Sequence, residues 1–298
     1  SGGRDSTCLL DVAAGLLAPG AVLALHVNYG LRRAADADAE RCRALCTELG
    51  VELDVVAAPP PPGGELPGNL QAWARDVRYE QAQRLAREHD ALIAAGHTAS
   101  DQVETVLYRL AASPGRRALL GMAPADGRLI RPLLGVTREQ TTAYCQARGL
   151  SYGDDESNSD ERFARTRVRN GLVGALRAVH PAAEANVLRT AMLLREETEL
   201  LEELVNRELE GRSSVPLARL REMPDALARL VVVRLAEQAV GGYVPQAGGR
   251  VQELLALGRR GGRAELHVGG QAGAVIEEGL LRMVRLAPRS GLLAPDGD

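Results

Sequence analysis

The chain opens Ser1-Gly2-Gly3-Arg4-Asp5-Ser6 and runs straight into an apolar stretch of helical spacing, Thr7-Cys8-Leu9-Leu10 and on to Leu17. Two adjacent glycines let a turn aim its N–H groups inward with no Cβ in the way. A hydroxyl stands at each end, and the following helix points its positive end at the turn. Such a cradle suits an anion, most naturally a phosphate. Asp5 is the odd member, because a carboxylate repels phosphate. It fits if Mg²⁺ lies between them, held by one carboxylate and phosphate oxygens. The same six residues also suit an ordinary glycine turn with a helix cap.

Working outward, strands and helices alternate. Residues 21–28 form a near-continuous apolar run, as in a strand covered on both faces. A helix is expected over 34–49, stopping at Gly50, a strand over 51–58, and a Pro/Gly loop over 59–68. Further helices are expected over 70–88 and 99–112, with a strand over 91–95 between them. Thr137-x-x-Gln140 reads as a capping box opening a helix that ends at Gly149. This repeat implies α/β architecture, a doubly wound parallel sheet with helices on both sides, and a central strand before Ser1. The expected organisation is a nucleotide-binding domain over 1–180, a linker helix over 181–211 and a small α+β domain over 212–298. In the last, helices are expected over 217–240 and 251–257, and short strands over 264–268, 274–276 and 280–286.

Composition narrows the chemistry. All 36 basic residues are Arg, so a Walker loop, a protein-kinase site and a pyridoxal Schiff base are excluded. If the chain handles ATP, it does so with backbone amides, Arg and metal. No apolar run approaches bilayer length. Cys8, Cys42, Cys46 and Cys145 include no Cys-x-x-Cys pair, which argues for a reducing cytoplasm. From Arg162 to Arg195 there are seven Arg and one acid, and from Glu196 to Glu210 seven Glu and one Arg. The basic block suggests a polyanion-facing surface; a solvated helix face with i, i+4 pairing is the plainer reading.

Three more motifs fall at expected strand ends or on the helix between them. His97 precedes Asp101 and Glu104, which are spaced i, i+3 and share a helix face. They are either capping carboxylates or a grip for a cationic group such as an alkyl ammonium. His97 beside them is a candidate for hydrogen bonding or proton transfer. Arg75 and Arg78 share a face suited to phosphate or to pairing with Asp76 and Glu80. His26-Val27-Asn28-Tyr29-Gly30-Leu31-Arg32 ends another strand. Seven of the eight aromatics precede residue 164, so any base stacking belongs mostly to the first domain.

With these residues in hand, the chain resembles the ATP-pyrophosphatase (PP-loop) superfamily and, within it, the tRNA(Ile)-lysidine synthetase family. Ser1 to Ser6 carry the superfamily likeness. His26 to Arg32, Ala74 to Tyr79, His97 to Thr105 and Ile130 to Arg169 carry the closer one, over residues 1 to about 210. The last stretch includes Asp154-Asp155-Glu156-Ser157-Asn158 and Arg165-x-Arg167-x-Arg169. The resemblance implies adenylation of the wobble cytidine C2 carbonyl oxygen in tRNA(Ile) with a CAU anticodon, then attack by free L-lysine. It implies ATP on Ser1, Gly2, Gly3, Arg4, Asp5 and Ser6, with Mg²⁺ at Asp5 and charge stabilisation by Arg75. Lysine would be gripped by His97, Asp101 and Glu104, and tRNA phosphates by Arg162, Arg165, Arg167 and Arg169. A homodimer stays open. Asn28-Tyr29, Ser100, Thr166 and Asn170 depart from the family's usual residues, and altered substrate choice is one reading of them. The rivals are another superfamily enzyme, such as a tRNA thiolase or an ammonia-using synthetase, and a non-catalytic nucleotide-binding module. Reversing two arginines of the 162–169 block should flatten the salt dependence of tRNA binding; an unchanged slope would mean the block is structural.

Overall fold

In a computed structural model, the described residues are 2–30, 35–59, 70–113, 115–153 and 164–287. They form two compact units, divided between Leu194 and Arg195.

The first unit alternates as expected. Helix α1 (Arg4–Leu16) leads to β1 (Leu23–Asn28), α2 (Ala35–Leu49) and β2 (Glu52–Ala57). Then come α3 (Leu70–Glu88), β3 (Ile93–Ala94), α4 (Ala99–Ala112) and the short α5 (Arg116–Leu119). Strands β1 and β2 pair in parallel, Leu23 opposite Glu52 through Asn28 opposite Ala57. Strand β3 pairs in parallel with β5 (Leu129–Ile130), which makes an antiparallel hairpin with β4 (Ala125–Asp126). That hairpin carries no strong alternation and was not legible in the sequence. The fold is α/β with parallel pairing, in two hydrogen-bonded pieces among the described residues.

Helix α6 (Arg138–Ala147) begins at the expected capping box: the Thr137 amide donates to Gln140 Oε1 at 2.8 Å, and the Gln140 amide donates to Thr137 Oγ1 at 3.2 Å. It is fixed to α1 by one buried carboxylate. Asp11, 4% exposed, accepts from Tyr144 Oη at 2.6 Å and from Arg148 Nε and Nη2 at 3.1 and 3.2 Å. A buried carboxylate keeps its charge only if its oxygens are satisfied in this way. Helices α7 (Ala164–Arg167) and α8 (Gly174–Val179) are joined without a break by a π-helical segment, Val168–Val173. Val173 from that segment packs with Val103 and Leu107 of α4. Helix α9 (Ala183–Leu209) follows, and the division between units falls within it.

The second unit holds the larger core, with Val231, Val232, Leu235, Leu254 and Leu281 essentially without exposure. An antiparallel sheet of β6 (Ser214–Pro216), β7 (Ala264–Gly269), β8 (Ala272–Glu277) and β9 (Leu280–Arg285) runs in the order β6-β9-β8-β7. The single helix expected over 217–240 is two, α10 (Leu217–Glu222) and α11 (Asp225–Val240). Pro224 lacks an N–H and pushes Met223 to ψ 146, out of helical geometry. Gly241, left-handed at φ 68, stops α11. Helix α12 (Val251–Gly258) completes the unit.

Hydrogen bonding to Arg148, opposed by burial and reinforced by Tyr144, holds the Asp11 carboxyl below the usual carboxylate range. The stabilisation is therefore complete above the unfolded value near pH ~4 and is lost as pH falls through the lowered folded value. Asp11→Asn should cost about 2 kcal/mol at neutral pH, less than a fully buried pair because Arg148 stays half-solvated. Thermal unfolding followed against pH should show the gap to the parent closing in acid; a pH-independent gap would contradict the assignment.

Candidate active site

The turn before α1 carries no side-chain cap. Gly3 is the N-cap and supplies no side-chain hydrogen bond, so the first-turn amides are not capped by it. Gly2 adopts φ +70, where a side chain is strained, and a Cβ there would lie 3.2 Å from Cys42 Sγ. The turn is tied down behind by the Gly153 amide, which donates to the Gly2 carbonyl at 2.9 Å. Ser6 Oγ donates to the Gly3 carbonyl at 2.8 Å. From the other side comes Gly96, just after β3. A Cβ at Gly96 would sit 3.1 Å from the Asp5 carbonyl oxygen and 3.3 Å from the Ser6 amide nitrogen. Gly96 therefore lets the strand end abut the turn directly.

Asp5 Oδ1 accepts from Thr141 Oγ1 at 2.6 Å and from Arg4 Nε at 3.2 Å; Oδ2 has no hydrogen-bond partner among the described residues. A glycine cradle whose walls leave no room for a Cβ, with one carboxylate oxygen turned free, fits an anion carrying a divalent cation. Two buried polar atoms, Thr7 Oγ1 and His97 Nδ1, lack a partner among the described residues. Burial first, then the nearby Arg75, Arg131 and Arg165 charges, lower His97 to about 4 against the opposing pull of Asp101. Its imidazole is neutral at ordinary pH.

Of the carboxylate pair, Asp101 caps its helix as one reading expects, and both acids pair with arginines of the chain itself. Asp101 Oδ2 accepts from the Thr98 amide at 2.8 Å and its hydroxyl at 2.9 Å, the reciprocal cap of α4. Its Oδ1 accepts from Arg138 Nη2 at 3.1 Å, and the same nitrogen lies 3.2 Å from Glu104 Oε1. Both carboxylates thus converge on one cationic nitrogen. Glu104, 4% exposed, also accepts from Arg169 Nε at 2.7 Å and Nη2 at 3.1 Å. Asp5, Asp101 and Glu104 all act electrostatically on the Arg169 guanidinium.

Arg169 is thus the clear departure from expectation. Its guanidinium pairs with Glu104 at one end of a side chain 27% exposed, while Arg165 and Arg167 are exposed. Arg75 is exposed and stacks over Tyr79, 4.9 Å from the ring centre. Tyr29 donates to the Ala74 carbonyl at 2.7 Å and takes a hydrogen bond from Arg78 Nε at 3.2 Å, tying the end of β1 to α3. Ser100 Oγ accepts the Arg138 amide at 3.2 Å at the start of α6. Thr166 is buried. Ser1, Arg162 and residues 154–158 lie outside the described residues. All four cysteines are free and buried, and burial raises Cys8 to about 11. Among the described residues no three His, Cys, Asp or Glu side chains gather as metal ligands. Sequence reasoning missed Thr141, Arg138 and the Asp11 clamp; the capping box located α6 but not its partners, Asp101 and Glu104 on α4 and Asp5 and Asp11 at the start of the chain.

Residues 1–176 match the PP-loop domain family. A tRNA(Ile)-lysidine synthase of Gloeobacter violaceus is 37% identical over 81% of this chain and 76% of its own length. One of Pseudomonas fluorescens is 37% identical over 77% of this chain and 55% of its own length. The chain spans about half the length of several such relatives. A U34-tRNA thiolase of Methanococcus maripaludis, solved with its [4Fe-4S] cluster, superposes with a TM-score of 0.52 at 19% identity. The superposition covers 65% of this chain and 70% of the thiolase, and at that identity it speaks to the fold alone. The chain belongs to the PP-loop family and, within it, to the tRNA(Ile)-lysidine synthases. No helix among the described residues is long and apolar enough to cross a membrane.

Gly96→Ala tests the cradle. Its Cβ must push the Asp5–Ser6 backbone aside at a cost of about 1–3 kcal/mol. Nucleotide affinity measured by calorimetry should fall at least about ten-fold; unchanged affinity would place the phosphates elsewhere.

Proposed function

We propose that this protein joins lysine to C2 of the wobble cytidine in tRNA(Ile) with a CAU anticodon, using ATP. The amides of Gly2 to Ser6 hold the triphosphate, and Arg75, exposed and close enough to act on His97, stabilises phosphate charge. Mg²⁺ held by Asp5 and phosphate oxygens would offset charge on the pyrophosphate leaving group. The C2 carbonyl oxygen of the cytidine takes the adenylyl group and pyrophosphate departs. The ε-amine of lysine then attacks C2 and AMP is expelled. Arg165 and Arg167, exposed near the site, meet RNA phosphates, with Arg162 beside them in sequence.

The observation that carries this reading is the single Arg138 nitrogen shared by Asp101 and Glu104. Two carboxylates that converge on one cationic nitrogen can grip an alkyl ammonium in the same manner. Lysine enters by sharing or displacing a guanidinium there, as Glu104 is already paired in the free protein. His97, neutral and with an unpartnered ring nitrogen, can hydrogen-bond the amine, while burial, by lowering it to about 4, makes it a weak base for the proton the amine must lose. A thiolase reading has less support, because the cysteines are buried, raised by burial and include no Cys-x-x-Cys pair. A homodimer remains compatible.

The test is mass spectrometry of the anticodon loop after incubation with ATP and labelled lysine. The expected product carries lysine on the wobble cytidine. Glu104→Gln should raise the lysine concentration required while tRNA-dependent ATP–pyrophosphate exchange persists. A thiolated or unmodified loop, or exchange lost together with lysine use, would contradict the assignment.

A further inference from the structure

We propose that Thr141 is a positioning residue for Asp5: its hydroxyl holds one carboxylate oxygen so that the other is presented to the divalent cation of a bound nucleotide. The inference rests on the proposed ATP–Mg²⁺ role of the turn.

Thr141 has no solvent exposure and sits in the first turn of α6. Its Oγ1 lies 2.6 Å from Asp5 Oδ1 and 3.0 Å from the Arg138 carbonyl oxygen. A hydroxyl has one proton to give, and the shorter, charged acceptor takes it. The neighbouring Thr142 shows what a helical threonine otherwise does. Its Oγ1 donates back to the Arg138 carbonyl at 2.8 Å, four residues earlier. Thr141 instead reaches across to α1.

The placement of Thr141 is fixed from both ends of α6. At the start, the Arg138 amide donates to Ser100 Oγ, and the Ala99 amide donates to the Val136 carbonyl at 2.8 Å. Toward the other end, Tyr144 and Arg148 clamp Asp11 of α1. Cys145, with no exposure, places its Sγ 3.7 Å from the Arg4 carbonyl, one residue before Asp5. An aspartate otherwise turns about two bonds. Here Thr141 and Arg4 both engage Oδ1, which leaves Oδ2 without a hydrogen-bond partner among the described residues. Holding a ligand in its binding geometry before the ligand arrives lowers the ordering cost of binding.

Nucleotide affinity measured by calorimetry across a Mg²⁺ titration, with an EDTA arm, tests this directly. Thr141→Val keeps the shape and removes the donor. It should raise the Mg²⁺ concentration at half-maximal enhancement about ten-fold, with affinity in EDTA unchanged. Thr141→Ser should restore the parent midpoint to within about two-fold. Should the valine variant not fold, as judged by its thermal transition, Thr141→Ala serves in its place. Asp5→Asn provides the reference for total loss of the Mg²⁺ enhancement. If Asp5→Asn removes the enhancement but Thr141→Val does not shift it, the proposal is overturned and the metal reading stands. If Asp5→Asn leaves the enhancement intact, the metal reading itself falls. A loss of affinity equal with and without Mg²⁺ would reduce Thr141 to packing and also overturn the proposal.

Discussion

Where the first turn of α1 runs past the end of β3 a side chain would fit only if the backbone gave way. Gly96 lies against the Asp5 carbonyl and the Ser6 amide, and Gly2 lies against Cys42. These two close approaches set the open face of the turn. The helix brings its amides and positive end to that face, and nothing in the side chain of Gly3 competes for them. The carboxylates then arrive by separate routes. Asp5 comes with the turn itself, while Asp101 and Glu104 come on α4, whose N-cap Thr98 stands two residues beyond Gly96. One glycine contact therefore ties the opening turn to the helix that carries the carboxylate pair.

Around that contact the charges are balanced in layers. Asp11 is paired with Arg148, Glu104 with Arg138 and Arg169, and Asp5 with Arg4, while the neutral Thr141 hydroxyl donates to it. Without lysine residues the chain must use guanidinium groups for all of this, and their planar forks suit bidentate pairing such as that of Arg169 with Glu104. The thiolase and this chain share a fold at 19% identity. A shared fold does not carry a shared chemistry, which rests on side chains such as these.

Much of the first unit was legible. Helices over 70–88 and 99–112 and the capping box at Thr137 stand where spacing and caps place them, because local signals determine them. The split at Pro224 could have been read from proline's missing donor, but the apolar run on both sides masked it. At the site, Asp101 is at once a helix cap and part of a carboxylate pair, so the two sequence readings were never exclusive. Arg169 could not be foreseen inside. Arginines at 165, 167 and 169 read as one basic block, yet Arg165 and Arg167 are exposed while Arg169, in the π-helical segment that follows them, is half-buried against the carboxylate of Glu104. Thr141 gave no signal at all. Its partner lies 136 positions away, and only tertiary structure pairs them.

The account stands on the opening turn holding a triphosphate. A crystal structure with a non-hydrolysable ATP analogue and Mg²⁺ reads that out atom by atom. The prediction is phosphate oxygens on the amides of the turn, with the metal bridging them to Asp5 Oδ2. A nucleotide seated away from Gly2–Ser6, or a metal bound without Asp5, would contradict it.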